Sequence, residues 1–217
     1  VPFAMAAEAV GQAEASYARM QIEAGADGVV FVRDDWKAPE WSFAAPLQFM
    51  RDAHARRKLV VIGSISDSPR SPSTRYAYAA RQALEGADGV LLVGVDARGA
   101  LKAELGRDRG ALHAFVQIRE AAEFLRNELR EGDLVLLKGT NLQDHLVRVV
   151  LDRQRPVQCW ATACGRVEFC GSCERLYALS ANEGSVADAA EGSGAATGAT
   201  GRGLVVVGLG NPGPRHH

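Results

Sequence analysis

GVVFVRDDWKAPEWSFAAPLQFM, residues 28–50, runs from four apolar residues (Val29, Val30, Phe31, Val32) into a charged loop with two tryptophans, and then into an amphipathic segment after Ser42. That succession reads as a strand, a polar loop and a helix N-terminus. In α/β proteins ligands collect beyond the carboxyl ends of parallel strands, where such a loop lies. The loop is therefore the first candidate for ligand handling.

Working outward, strands are expected at residues 29–32, 59–62, 90–93, 114–117 and 134–137. Each is short and apolar throughout, the pattern of strands covered on both faces. Helices are expected between them. Tyr76, Ala79, Ala80, Ala83 and Leu84 share one helical stripe, and Ile118, Ala121, Ala122, Leu125 and Leu129 form another that stops at Gly132. Residues 2–22 are Ala-rich and read as helix. EAGADGVVFV (23–32) and LEGADGVLLV (84–93) echo each other as helix end, glycine stop and buried strand. Repeated αβ units predict an α/β, Rossmann-like fold with a mainly parallel sheet and helices on both faces.

The chain has 217 residues, 47% hydrophobic and 24% charged, enough for one core of about 150 residues plus an appendage. A net charge of -1 and a pI near 6.6 leave no electrostatic footprint for nucleic acid. No apolar run approaches the roughly 20 residues of a membrane span, so no membrane partner is expected. Without a basic-apolar-small leader the sequence reads as soluble and cytoplasmic. It opens on Val1 and Pro2, which suggests a piece of something longer.

Four cysteines fall in one window, Cys159, Cys164, Cys170 and Cys173, spaced Cys-x4-Cys-x5-Cys-x2-Cys with Gly165 and Gly171 permitting tight turns. Four thiolates fill a tetrahedral Zn(II) shell and leave no open position, so such a site is structural. Two disulfides or an iron–sulfur cluster are the alternatives; a reducing compartment disfavours the first and the spacing the second. Residues 156–178 are accordingly expected to form a zinc knuckle that stiffens the domain or offers a surface to a protein partner. Beyond it, residues 179–203 are dominated by Gly, Ala, Ser and Thr, too poor in apolar side chains to offset ordering entropy, and read as a flexible linker, a disordered tail.

The order VRDDWKAPEWSFAAPLQFM, KLVVIGSISD, GADGVLLVG and EGDLVLLKGT, followed by a helix, resembles the C-terminal domain of the Mur ligase family, in particular its D-alanyl-D-alanine-adding members. The resemblance covers residues 18–155, with residues 1–17 as the end of a preceding central domain. It implies the lid of a ligase that phosphorylates a carboxylate with ATP and Mg(II) and lets an amine attack the acyl phosphate. It also implies that Asp35 approaches the nucleotide ribose, that Lys37 contacts the γ-phosphate as a catalytic charge, and that Lys138, Gly139 and Thr140 form the turn after the last strand. One departure is plain: Lys37, Ala38 and Pro39 replace the family's Asn-rich stretch. Nucleotide and the carboxylate/amine pair would be held with a central domain that carries the phosphate loop this chain lacks, so the chain alone is not expected to be active.

Read without the resemblance, Asp34, Asp35 and Lys37 are solvated loop charges or helix caps, and Trp36 and Trp41 are loop packing. The competing function is a zinc-containing scaffold derived from a Mur ligase domain. At residues 204–217, LVVVGLGNPGPRHH formally fits G-x-G-x-x-G, but no helix and no acidic residue about twenty positions on follow to support a dinucleotide site. The string instead resembles the first strand and loop of bacterial peptidyl-tRNA hydrolases. The resemblance implies an active-site role for Asn211 and a tRNA partner reached only through this truncated segment.

Overall fold

The computed structural model describes Pro2, Met5 and residues 16–101, 111–166 and 168–178. The linker, the hydrolase-like segment with Asn211, and most of the expected N-terminal helix lie outside the described residues. A six-stranded mixed sheet, in the order β1-β2-β6-β3-β4-β5, carries the fold. Its strands are β1 (Gln21–Ala24), β2 (Val30–Asp34), β3 (Arg57–Ile62), β4 (Gly89–Val93), β5 (Leu112–Phe115) and β6 (Asp133–Lys138). The helices are α1 (Ala44–Asp52), α2 (Pro72–Leu84), α3 (Ala97–Ala100), α4 (Ile118–Glu128), α5 (Asn141–Asp144) and α6 (Val147–Gln154).

All strand pairs are parallel except β1 with β2. Side-chain alternation along β6 shows why its six residues are all buried. Leu134 and Leu136 enter one core with Leu47 and Met50 of α1 and Tyr76 and Ala80 of α2. Val135 and Leu137 enter the opposite core with Ile118, Ala121 and Leu125 of α4 and Val149 and Val150 of α6. Each large apolar side chain buried this way contributes about 2 kcal/mol.

Two expectations shift. Residues 21 and 22, predicted as helix, belong to β1, where Gln21 pairs with Arg33 and Ile22 with Val32. The turn before it holds Ala18 and Met20 at φ 53° and 51°. Helix propensity yields here because β2 would otherwise leave a row of backbone donors and acceptors unpaired. β5 lies two residues before its expected place, because Gln117 caps α4 and the Glu120 side chain accepts the Gln117 amide at 3.1 Å.

Gly28 makes the sharp entry into β2. Its φ is +75°, and a Cβ there would stand 2.6 Å from Cγ of Glu131. Gly28→Ala should therefore cost about 1–2 kcal/mol, since an L side chain resists left-handed backbone. Gly171→Ala, where a Cβ meets nothing within 4 Å, should stay within about 0.5 kcal/mol. Denaturant midpoints at unchanged slope check both values, and equal midpoints for the two variants would contradict this account of the turn.

Candidate functional site

Neighbouring strands β3 and β6 send their chains to opposite faces, β3 towards α2 and β6 towards α6. Such a switch opens a crevice at the carboxyl edge. Here it is a cleft of about 610 Å³. Ser64, Arg75, Tyr76, Gly94, Gln117, Thr140 and Asp144 are among the residues that line it. Thr162, from the cysteine-bearing segment, also borders it.

Asp144 ties the two loops together. Its Oδ2 accepts the Ser64 amide at 2.8 Å and the Thr140 amide at 2.6 Å, while the Ser64 hydroxyl donates to Oδ1. Gly63 is required for this approach, because a Cβ would run into the Asp144 carboxylate. Burial pushes the Asp144 carboxyl above its ordinary range, with the hydrogen bonds from Ser64 and Thr140 opposing. Burial likewise raises the Tyr76 phenol, helped by the charges of Asp144 and Asp96, and its hydroxyl donates to the Val93 carbonyl at 3.0 Å. Arg75 is the cleft's cation. Its Nη1 donates to the Ile65 carbonyl at 2.6 Å, while its buried Nε has no hydrogen-bond partner among the described residues.

The loop after β2 joins the same edge. Pro39 bridges Ser66, with the Ser66 amide donating to Ala38 and the Glu40 amide to Ser66, each at 2.9 Å. Lys138, at the end of β6, is buried and donates to Asp34 Oδ2 at 2.6 Å and to the Lys37 carbonyl at 3.2 Å. The Lys37 side chain remains exposed at the carboxyl end of β2.

Asp35 departs from its expected accessibility. It is fully buried, its Oδ1 accepting Arg33 Nε at 3.1 Å. Arg33 also binds Glu23 Oε1 at 2.9 Å and lies over the Tyr17 ring at 4.5 Å. Asp35 follows Arg33 by two residues; the Arg33 guanidinium lies on the Tyr17 ring, which packs against the rings of Trp36 and Phe169. Trp36 is loop packing as expected, but Trp41 is 77% exposed.

Of the four cysteines, all free thiols, Cys170 is buried. Among the described residues no three Cys, His, Asp or Glu side chains are grouped to hold a metal ion. The converging four-sulfur shell is thus not preformed. His145 separates two of the sulfurs, its Nδ1 lying 3.4 Å from Cys170 Sγ and its Nε2 3.9 Å from Cys164 Sγ. Burial and then the Arg148 charge push the His145 imidazole down to about 4. Nothing in the spacing of the cysteines pointed to His145, which caps the end of α5, or to Arg148 in the first turn of α6. Arg75 and Asp144 were equally hidden, because only the meeting of two loops makes them neighbours. No helix among the described residues is long and apolar enough to cross a membrane.

Residues 18–141, more than half of the chain, match the family described as Mur ligase, glutamate ligase domain. No curated protein sequence matches. Among solved structures, a second crystal structure of MurF from Acinetobacter baumannii is similar at 24% identity and a TM-score of 0.60, over 70% of this chain and 34% of that one. The UDP-N-acetylmuramoylalanyl-D-glutamyl-2,6-diaminopimelate--D-alanyl-D-alanyl ligase of the same organism gives 22% and 0.58, over 71% and 32%. MurF ligase from Thermotoga maritima, in complex with ADP, gives 16% and 0.54, over 70% and 36%. The chain spans about a third of the length of these structures, and the likeness is one of fold.

The Arg33–Asp35 pair generates a direct test. Asp35→Ala should destabilise the domain by about 3 kcal/mol, because it leaves a buried guanidinium with Glu23 alone. Chemical denaturation checks the value. A loss below about 1 kcal/mol would mean that Asp35 is not the structural partner described.

Proposed function

This chain belongs to the Mur ligase family, as its glutamate ligase domain, and from that we propose that residues 18–155 form the lid of an ATP-dependent amide ligase. In the proposed reaction a substrate carboxylate takes the γ-phosphoryl group of ATP and ADP leaves. An amine then attacks the acyl carbon, loses a proton and expels phosphate, forming the amide. Closing a lid over such an intermediate excludes water. ATP and substrates of this kind fit a cytoplasmic setting.

The observation that carries the reading is the cleft at the β3/β6 switch point, to which the Lys37 loop is bonded through Ser66. Lys37 offers a free positive charge at the carboxyl edge, suited to a phosphate whose charge grows in the transition state. Arg75 offers a second charge, suited to the carboxylate of an incoming amino acid or dipeptide. Asp34 and Asp35 are both committed to cations of this chain, so Mg(II) and the ribose are left to a nucleotide-holding domain elsewhere. The burial of Asp35 favours a second reading, a scaffold that keeps the fold and has lost ATP chemistry. For the cysteines we propose structural Zn(II), with the sulfurs drawing together on the metal. For residues 204–217 we propose the opening of a peptidyl-tRNA hydrolase-like domain, with Asn211 at its site.

The test is ATP-dependent amide formation by this chain joined to a nucleotide-holding Mur ligase central domain. Lys37→Ala should lower kcat about tenfold or more with little change in nucleotide KM, since the charge acts on the transition state. Arg75→Met should raise KM for the amine. Parent activity that neither substitution alters would remove the ligase reading of these residues, and a parent that consumes no ATP would leave the scaffold.

A further inference from the structure

The four-cysteine segment lies beyond the stretch matched to the family, residues 18–141, yet one of its residues, Thr162, lines the cleft. Its approach to the cleft is tied down at three consecutive positions. The Trp160 indole donates to the Val157 carbonyl at 3.0 Å, and its ring packs against both the core beneath α4 and α6 and the cluster of Val147, Val157, Cys170 and Leu176. Arg148, buried in the first turn of α6, donates from Nη1 to the Ala161 carbonyl at 2.7 Å. The ring of His145, also buried, bonds the Thr162 backbone. What remains exposed at that point is the Thr162 side chain.

The same segment also meets the loop after β2. Phe169 packs on Tyr17 and on Trp36, with ring centroids 4.3 Å and 5.6 Å apart, and the Trp36 carbonyl accepts the Asn141 amide at 3.3 Å. The segment therefore touches both the loop that carries Lys37 and the cleft that the loop adjoins. Drawing its backbone away from the cleft would leave a buried guanidinium donor unmet, and that cost holds residues 160–162 in place. A side chain on backbone anchored this way meets a ligand without reorganising, and it excludes groups whose volume overlaps its own.

We propose that Thr162 is a specificity-determining residue of the cleft, its side chain limiting the size of the amine substrate admitted there. This rests on the ligase reading above, in which the cleft takes an amino acid or dipeptide. Thr162 stands by the connection from β6 to α5, because His145, which holds its backbone, directly follows Asp144, and Thr140, Gln143 and Asp144 line the cleft with it. A small amine fits beside such a wall; a bulky side chain meets backbone that cannot yield. The anchors belong to this chain's own α6 and its approach, so the wall stands whatever the cysteines bind. The segment thus helps to build the site, a task distinct from stiffening the domain.

The experiment uses the whole chain joined to a nucleotide-holding Mur ligase central domain. Its kcat/KM is measured for amines graded in size: glycine, alanine, leucine, alanyl-alanine and alanyl-leucine, in both enantiomeric series. Thr162→Gly should raise the ratio of leucine-bearing to alanine-bearing amines about tenfold, and Thr162→Trp should lower it by a similar factor, the scale on which a few methylenes are discriminated. Nucleotide KM should not move in either. Because the two substitutions are read separately, a variant that fails to fold leaves the other to decide. Ala163→Trp, on the same segment but not lining the cleft, should keep the parent's ratio. An active parent whose ratio neither Thr162 variant alters, or whose ratio Ala163→Trp alters as much, would overturn the assignment of Thr162 and leave the ligase reading standing. A parent that forms no amide from any amine of the series would overturn the ligase reading, and this role with it.

Discussion

The pairing of Lys138 with Asp34 fixes the edge on which the Lys37 loop meets the cleft. Lys138 ends β6, between β2 and β3, and its ammonium is removed from water. Such a charge is tolerated only with a partner at short range, and Asp34 at 2.6 Å supplies it. The Lys37 carbonyl and the face of Phe43, 5.4 Å from Nζ, complete its surroundings. The loop after β2 therefore cannot leave the loop after β6 without stranding a buried cation. That constraint holds the Lys37 side chain outward and keeps Pro39 in register with Ser66.

Asp144 does for the cleft what Lys138 does for the loop. One carboxylate takes amides from two chain segments, and glycine at position 63 makes the room. Removing it would orphan two backbone donors, each worth about 1–3 kcal/mol when buried and unmet. The cleft is thus pre-shaped by hydrogen bonds within the protein, a requirement for any site that must meet its substrates without reorganising. Whether that shape serves a ligase or a scaffold turns on the loop. The burial of Asp35 weighs against a ribose contact, while the exposure of Lys37 leaves the phosphate contact open to trial.

Continuous apolar runs such as LVVI and GVLLV, and the stripes of α2 and α4, determined the parallel sheet and its two helical layers from the sequence alone. Periodicity reports burial directly, because a strand covered on both faces has no polar positions. The carboxyl edge with its charged loop was legible for the same reason, since apolar strand gives way to charged loop at Asp34. What the sequence could not contain was which charge meets which. Asp34 and Asp35 are adjacent and chemically identical, yet one pairs with Lys138 at the sheet edge and the other with Arg33 in the interior. Strand alternation sends neighbouring side chains to opposite faces, where Asp34 meets a partner 104 positions away and Asp35 one only two positions away. β1 was likewise decided by the open edge of β2 rather than by its own propensity, and Arg148 came to the cysteines only because α6 packs beneath them. The sequence by itself determined the layers; the tertiary structure decided the pairing of buried charges, because the cost of burying a charge depends on neighbours that the chain brings together only when it folds.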